Sequence, residues 1–244
     1  MAKVASLFGG IGGLDYGFKT NGYEIGIANE SNPIIKEIYS LNNPGVWVNE
    51  NDLDGVCACG YQHRQPTGLI GTLPEDKEEK ALGHYARILT ATRPVFFVLV
   101  IRPTIEPDEA NPEFRKISDA LGEKGYDIFV QKINEAAFGS SYSIDHTFLI
   151  GFREDANVAD FNFPAAPLAN EKVDVFEATI DGVNARQIAA NKGFREDFFL
   201  NGKEDDETVK QAVLATVPPS LAAAIASAVG STVVNVVVPI SKLS

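Results

Sequence analysis

The sequence predicts an α/β protein with a Rossmann-like, mostly parallel sheet and helices on both faces. Three observations carry that prediction. Short apolar runs alternate with amphipathic helical stretches through the first half of the chain, the rhythm of strands joined by crossover helices. A glycine-rich turn, Gly9-Gly10-Ile11-Gly12-Gly13, separates the first such run from the first helix. "VFFVLVI" (95–101) is apolar and β-branched, as a strand covered on both faces must be.

The elements follow in order. Val4-Ala5-Ser6-Leu7-Phe8 forms the first strand, and "LDYGFKTNG" (14–22) a short helix stopped at Asn21-Gly22. "YEIGIANE" (23–30) is the second strand. "NPIIKEIYSLNN" (32–43) is a helix with Asn32 as its cap and Pro33 at its first position. "GVWVN" (45–49) and "GLIG" (68–71) supply the third and fourth strands. "KEEKALGHYARILTATR" (77–93) places Leu82, Tyr85, Ile88 and Leu89 on one helical face, and Pro94 ends it. After "VFFVLVI" comes a helix, "PEFRKISDALGEKG" (112–125). "YDIFVQKI" (126–133) and "DHTFLIGF" (145–152) then read as an antiparallel pair at one sheet edge. Residues 154–182 lose periodicity and read as a connector. "VNARQIAANKGF" (183–194) and residues 206–230 are helical, with a break at Pro218-Pro219. "TVVNVVVPI" (232–240) has β-type composition and reads as a strand or extended tail on the body.

Composition narrows the function. With 244 residues and 45 % hydrophobic content, the chain can bury a sizeable core. It carries 21 basic against 33 acidic residues, a net charge of −12, and no run of Lys or Arg longer than Arg115-Lys116. Proteins that grip DNA through its phosphates present a basic face, so direct DNA binding is not expected. The two cysteines, Cys57 and Cys59, are one residue apart. A disulfide between them is expected to be strained, which points to a reducing, cytoplasmic setting. Cys57, Cys59 and His63 have no second ligand cluster, so no metal site is expected. No stretch reaches the ~18 apolar residues of a membrane span, and the N-terminus is not a signal peptide.

The glycine turn is the most specific local feature. Phe8, Gly10 and Gly12 lie between a strand and a helix, where glycines let a cofactor approach the backbone. Glu30 ends the next strand, where a carboxylate accepts ribose hydroxyls, and Asp52 follows the third. A dinucleotide fingerprint would place its third glycine at Asp15. The aromatic Phe8 and this spacing suit S-adenosylmethionine or S-adenosylhomocysteine instead.

"SLFGGIGGLDYGFKTNGYEIGIANESNP" resembles the opening of the DNA cytosine-5 methyltransferases, and four further segments match that family in order: "YARILTATRPVFFVLV", "FLIGFR", "NARQIAANKGFREDFFLNG" and "VPPSLAAAIASAV". The resemblance implies the S-adenosylmethionine-dependent methyltransferase fold, with the last helix returning beside the first strand. It divides the chain into a catalytic-type domain (1–153), a short connector in place of the target-recognition domain (154–182), and a C-terminal segment packing on the same domain (183–244).

The departures from the family fall on its chemistry. Methylation at C5 requires a thiolate to attack C6. The family's Pro-Cys-Gln reads Pro74-Glu75-Asp76 here, so Glu75 stands in the thiol's place. The Glu-Asn of Leu-Glu-Asn-Val becomes Val100-Ile101. The Gln-x-Arg-x-Arg positions hold Tyr142, Ile144 and His146. The family's first-strand Asp is Ser6, and the Asn of Gly-Asn-Ala-Val is Ala215. The resemblance so modified implies a non-catalytic homologue that acts by binding, as a regulatory partner of an active enzyme, an acidic decoy or a cofactor sensor. A protein partner or self-association is expected. The competing expectation is an active DNA cytosine-5 methyltransferase, with Cys57 or Cys59 as nucleophile. A metal enzyme built on Glu75 and Asp76 lacks supporting ligands.

Overall fold

A computed structural model describes residues 1–51, 57–74, 78–101, 104–167 and 178–237, the last four as backbone only. Among the described residues, seven strands form one sheet: β1 (Lys3–Leu7), β2 (Glu24–Asn29), β3 (Val48–Asn49), β4 (Gly68–Thr72), β5 (Phe96–Ile101), β6 (Tyr126–Asn134) and β7 (Asp145–Arg153). Their spatial order is β3-β2-β1-β4-β5-β7-β6. The first five run parallel, and β7 is antiparallel to both β5 and β6. The chain winds outward from β1 in one direction through β2 and β3 and in the other through β4 and β5. Such a reversal opens a crevice at the carboxyl ends of β1 and β4.

The helices are α1 (Gly13–Thr20), α2 (Pro33–Asn42), α3 (Ala58–Gln62), α4 (Glu78–Thr92), α5 (Pro112–Gly122), α6 (Ala185–Asn191), α7 (Glu207–Ala215) and α8 (Pro219–Val237). Their starts are chemically defined. The Asn32, Asn111 and Asp206 side chains accept first-turn backbone N–H groups, and Asn184 with Gln187 forms a capping box.

Alternation along the strands divides the core. Val4, Ile70, Val98 and Phe148 face one side with α1 and α8, whereas Ala5, Leu69, Phe97 and Leu149 face the other with α4 and α5. A third cluster joins α2, α6 and α7 through Ile35, Ile38, Ile188, Val209 and Val213. Helix α8 lies directly on α1. A Cβ at Gly17 would stand 2.3 Å from the Ala222 carbonyl carbon, so only glycine permits this approach.

Three expectations are corrected. The third strand is confined to Val48–Asn49, because the run before it turns outward and leaves Trp47 half exposed beneath the Arg64 guanidinium. Of the run 232–240 expected as a strand or extended tail, residues 232–237 continue α8 and 238–240 lie outside the described residues. The tertiary packing of Val229 and Val233 overrides the strand preference of that Val-rich run. Cys57 and Cys59 form a disulfide, their Cα atoms 5.3 Å apart and within the reach of such a bridge. No single helix among the described residues is long and apolar enough to cross a membrane. The bent α7–α8 pair passes that test by length and composition only, and its apolar residues are the core contacts above.

Candidate functional site

A cavity of about 240 Å³ opens at the carboxyl ends of the central strands. Phe8, Gly9 and Gly10 form one side, Glu30 the rim after β2, and Thr72, Leu73 and Pro74 the end of β4. Val100 and Ile101 close it from β5, His146 from β7, and Ala212, Ala215 and Thr216 from α7 and its end. One cavity therefore brings together Phe8, Gly10, Glu30, Val100 and His146. Asp52 and Glu75 lie outside the described residues. Gly12 sits below the turn at φ +90°, facing Tyr39 and Asn43. Tyr142 is buried and accepts a hydrogen bond from Asn191 at 3.2 Å, while Ile144 packs into the third core cluster; neither lines the cavity.

The turn is held open by backbone geometry. Phe8 and Gly10 both have φ +55°, and a Cβ at Gly10 would meet nothing within 4 Å. Space over the turn is what a bound group would fill. Glu30 organises it: its Oε2 accepts the Gly10 N–H at 3.0 Å, and its Oε1 accepts the Asn32 N–H at 2.8 Å. The aromatic Phe8, the open glycine and the acceptor Glu30 fit the adenosyl half of S-adenosylmethionine.

Beneath the turn lies a polar group that the sequence did not advertise. Asp15 is buried; Ser6 Oγ donates to its Oδ2 at 3.0 Å and Tyr39 Oη to its Oδ1 at 2.9 Å. Burial pushes the Asp15 carboxyl up to about 6 against the opposing pull of those two hydrogen bonds. Burial likewise pushes the Tyr39 phenol up, with the Asp15 charge adding to it.

A second buried cluster stands behind His146. Its Nε2 is 2.6 Å from Glu135 Oε2, and Lys192 Nζ donates to both Glu135 oxygens at 2.9 and 2.8 Å. Ser140 Oγ donates to Glu135 Oε1 at 2.7 Å, and Lys192 also donates to the Leu214 carbonyl at 2.7 Å. Glu135 and Lys192 are fully buried. Burial holds the His146 imidazole below its ordinary range, with Glu135 opposing, and it also lowers the Lys192 ammonium. Only the closure of the β6–β7 hairpin against α6 and α7 brings these residues together. The sole sequence signal was polar residues within otherwise apolar segments.

No group of three or more His, Cys, Asp or Glu residues among those described could hold a metal. Neither Cys57 nor Cys59 lines the cavity.

Comparison with known proteins places this geometry. Residues 2–218 match the family model of C-5 cytosine-specific DNA methylases. The Type II methyltransferase M.FnuDI of Fusobacterium nucleatum is 29 % identical over 175 residues, 66 % of this chain and 50 % of that protein. M.MthTI of Methanothermobacter thermautotrophicus is 29 % identical over 188 residues, 73 % and 56 % of the respective chains. The chain thus spans about half the length of these curated relatives. Among solved structures, the S. pombe Dnmt2 methyltransferase superposes with a TM-score of 0.71 at 14 % identity, covering 95 % of this chain and 99 % of its own. That likeness establishes the shared α/β methyltransferase fold. A sequence match over most of its length, on this fold and around this crevice, makes the chain a member of the C-5 cytosine-specific DNA methylase family.

Proposed function

We propose that this chain is a DNA cytosine-5 methyltransferase homologue that acts by binding and does not transfer methyl groups. The observation that carries the proposal is the wall opposite the glycine turn. Val100 and Ile101 are buried there, and neither side chain can give or take a proton. A thiolate nucleophile is also missing. The chain has only two cysteines, both in the disulfide before β4. The Glu75 position, the short 154–182 connector and the net charge of −12 support the same reading.

The cofactor half of the cavity remains serviceable. Phe8, Gly10 and Glu30 would hold the adenosyl group of S-adenosylmethionine or S-adenosylhomocysteine, with Asp52 as a further expected contact. When bound, S-adenosylmethionine supplies an electrophilic methyl group. The acidic surface favours a protein partner or a second copy of the chain over DNA, consistent with a regulatory partner, decoy or cofactor sensor. Titration calorimetry with S-adenosylhomocysteine is expected to give a saturable heat; a flat trace at millimolar ligand would remove the cofactor part. A low-salt gel shift with mixed-sequence duplex is expected to show no complex, and a discrete one would contradict the protein-partner reading.

The second reading, an active enzyme using S-adenosylmethionine, is favoured by the family match itself. It requires Cys57 or Cys59 as nucleophile, and both lie away from the cavity.

A further inference from the structure

The Glu135–Lys192 pair is used by nothing proposed above, yet it touches the cavity through His146. Glu135 Oε2 sits 2.6 Å from His146 Nε2. Glu135 also takes two bonds from Lys192 and one from Ser140, so it is an ionised acceptor. Nε2 must then carry the imidazole proton. In a neutral imidazole the other ring nitrogen is a bare acceptor. Among the described residues the ring's hydrogen bond is made through Nε2 and none is made to Nδ1, and His146, only 4 % exposed, lines the cavity.

The same pair determines what His146 cannot do. A carboxylate alone behind an imidazole would favour the imidazolium and make the ring a base. Here Lys192 Nζ donates to both Glu135 oxygens, so that carboxylate's pull on the imidazolium is largely taken up and burial keeps the imidazole below its ordinary range. The charged groups facing His146 are Glu135 from the turn after β6, Lys192 from the end of α6 and Asp145 on its own strand. The remaining walls near it are apolar: Val100, Ile101 and Ala215.

We propose that His146 is a ligand-recognition residue, a fixed hydrogen-bond acceptor selecting small uncharged ligands that present an N–H or O–H donor. Glu135 and Lys192 are its positioning residues. The cavity of about 240 Å³ is shared with the Phe8, Gly10 and Glu30 side, so the group received at His146 is small. Anionic ligands are disfavoured because Glu30 faces the same space. This inference deepens the binding reading by naming what the wall recognises. It rests on that reading only for the claim that the wall's role is recognition.

The test is long-range ¹H–¹⁵N correlation of the histidine side chains, of which the chain has three. In unliganded protein His146 is expected to titrate below the ordinary imidazole range, the neutral ring carrying its proton on Nε2 and a pyridine-type Nδ1. Phenol should shift the Nδ1 resonance, while anisole, which lacks the donor, and benzoate, which is anionic, should bind at least tenfold more weakly. E135Q should invert the ring. Lys192 requires the new amide oxygen, so the amide NH₂ faces Nε2 and moves the imidazole proton to Nδ1. A proton on Nδ1 of the neutral ring in the wild type, titration at or above the ordinary imidazole range, equal binding of anisole, or no response to phenol would each overturn the proposal. The wild-type tautomer is read without any cofactor, so failure to bind S-adenosylhomocysteine leaves this test intact. Methyl transfer would sink the binding reading without altering the ring's protonation.

Discussion

Replacing Asp15 by Asn should stabilise the protein above neutrality and remove part of its pH dependence. Asp15 is buried under the glycine turn, and its carboxyl is raised from 3.8 to about 6 in the folded state. The sign follows from linkage. The folded chain holds the proton more tightly than the unfolded chain, so the neutral form supports folding. That support is complete below pH 3.8 and is lost as pH rises through about 6. The difference corresponds to about 3 kcal/mol at pH 7.5, since each tenfold change in proton affinity is worth ~1.4 kcal/mol. Asn preserves the geometry: its oxygen still accepts from Tyr39 Oη, and its amide donates to Ser6 Oγ, which can turn to accept. Exchanging charge-assisted for neutral hydrogen bonds gives back about 1 kcal/mol, leaving a net gain of about 2 kcal/mol. Urea unfolding of D15N and wild type from pH 4 to 8 reads this as a difference that grows between pH 4 and 7 and then levels. A variant less stable at pH 7.5, with a wild-type pH profile, would refute the account of the buried carboxyl.

Gly17→Ala should destabilise by about 1–3 kcal/mol because its Cβ would overlap α8 at Ala222, although the same change in an exposed helix stabilises by about 1 kcal/mol; thermal unfolding decides the sign. Tyr85→Phe should cost about 1 kcal/mol in urea unfolding, since the buried hydroxyl bridges the Leu69 and Val98 carbonyls of neighbouring strands at 2.9 and 3.2 Å. Glu30→Ala removes the acceptor for the Gly10 and Asn32 N–H groups, and calorimetry should show S-adenosylhomocysteine bound roughly tenfold to a hundredfold more weakly.

The elements that were legible in the sequence are those fixed by local chemistry. Asn32-Pro33 marks a helix start in both sequence and structure, because a side-chain cap and a preset φ act within one turn; the helix read from Pro112 starts there too, and the structure adds Asn111 as its cap. The all-apolar β5 announced a central strand because both its faces are covered. The antiparallel β6–β7 edge was readable from two β-type runs that follow each other without an intervening crossover helix. The end of α8 was not: six residues of Val-rich sequence favour a strand, yet they continue a helix whose preceding turns are packed through Val229 and Val233 into the core. The candidate cavity was half legible. Phe8, Gly10 and Glu30 follow one another within a single strand–helix–strand unit, so their spacing carries the signal. Glu135, His146 and Lys192 do not: 57 residues separate Glu135 from the lysine that neutralises it, and no local pattern encodes that contact.

The central claim is that this family member binds without transferring methyl groups. The most direct test incubates the full chain with tritiated S-adenosylmethionine and mixed-sequence duplex DNA, then counts label retained in the DNA and in 5-methylcytosine after digestion. Label at the level of a protein-free control is predicted. Incorporation rising with time and with chain concentration would contradict the account.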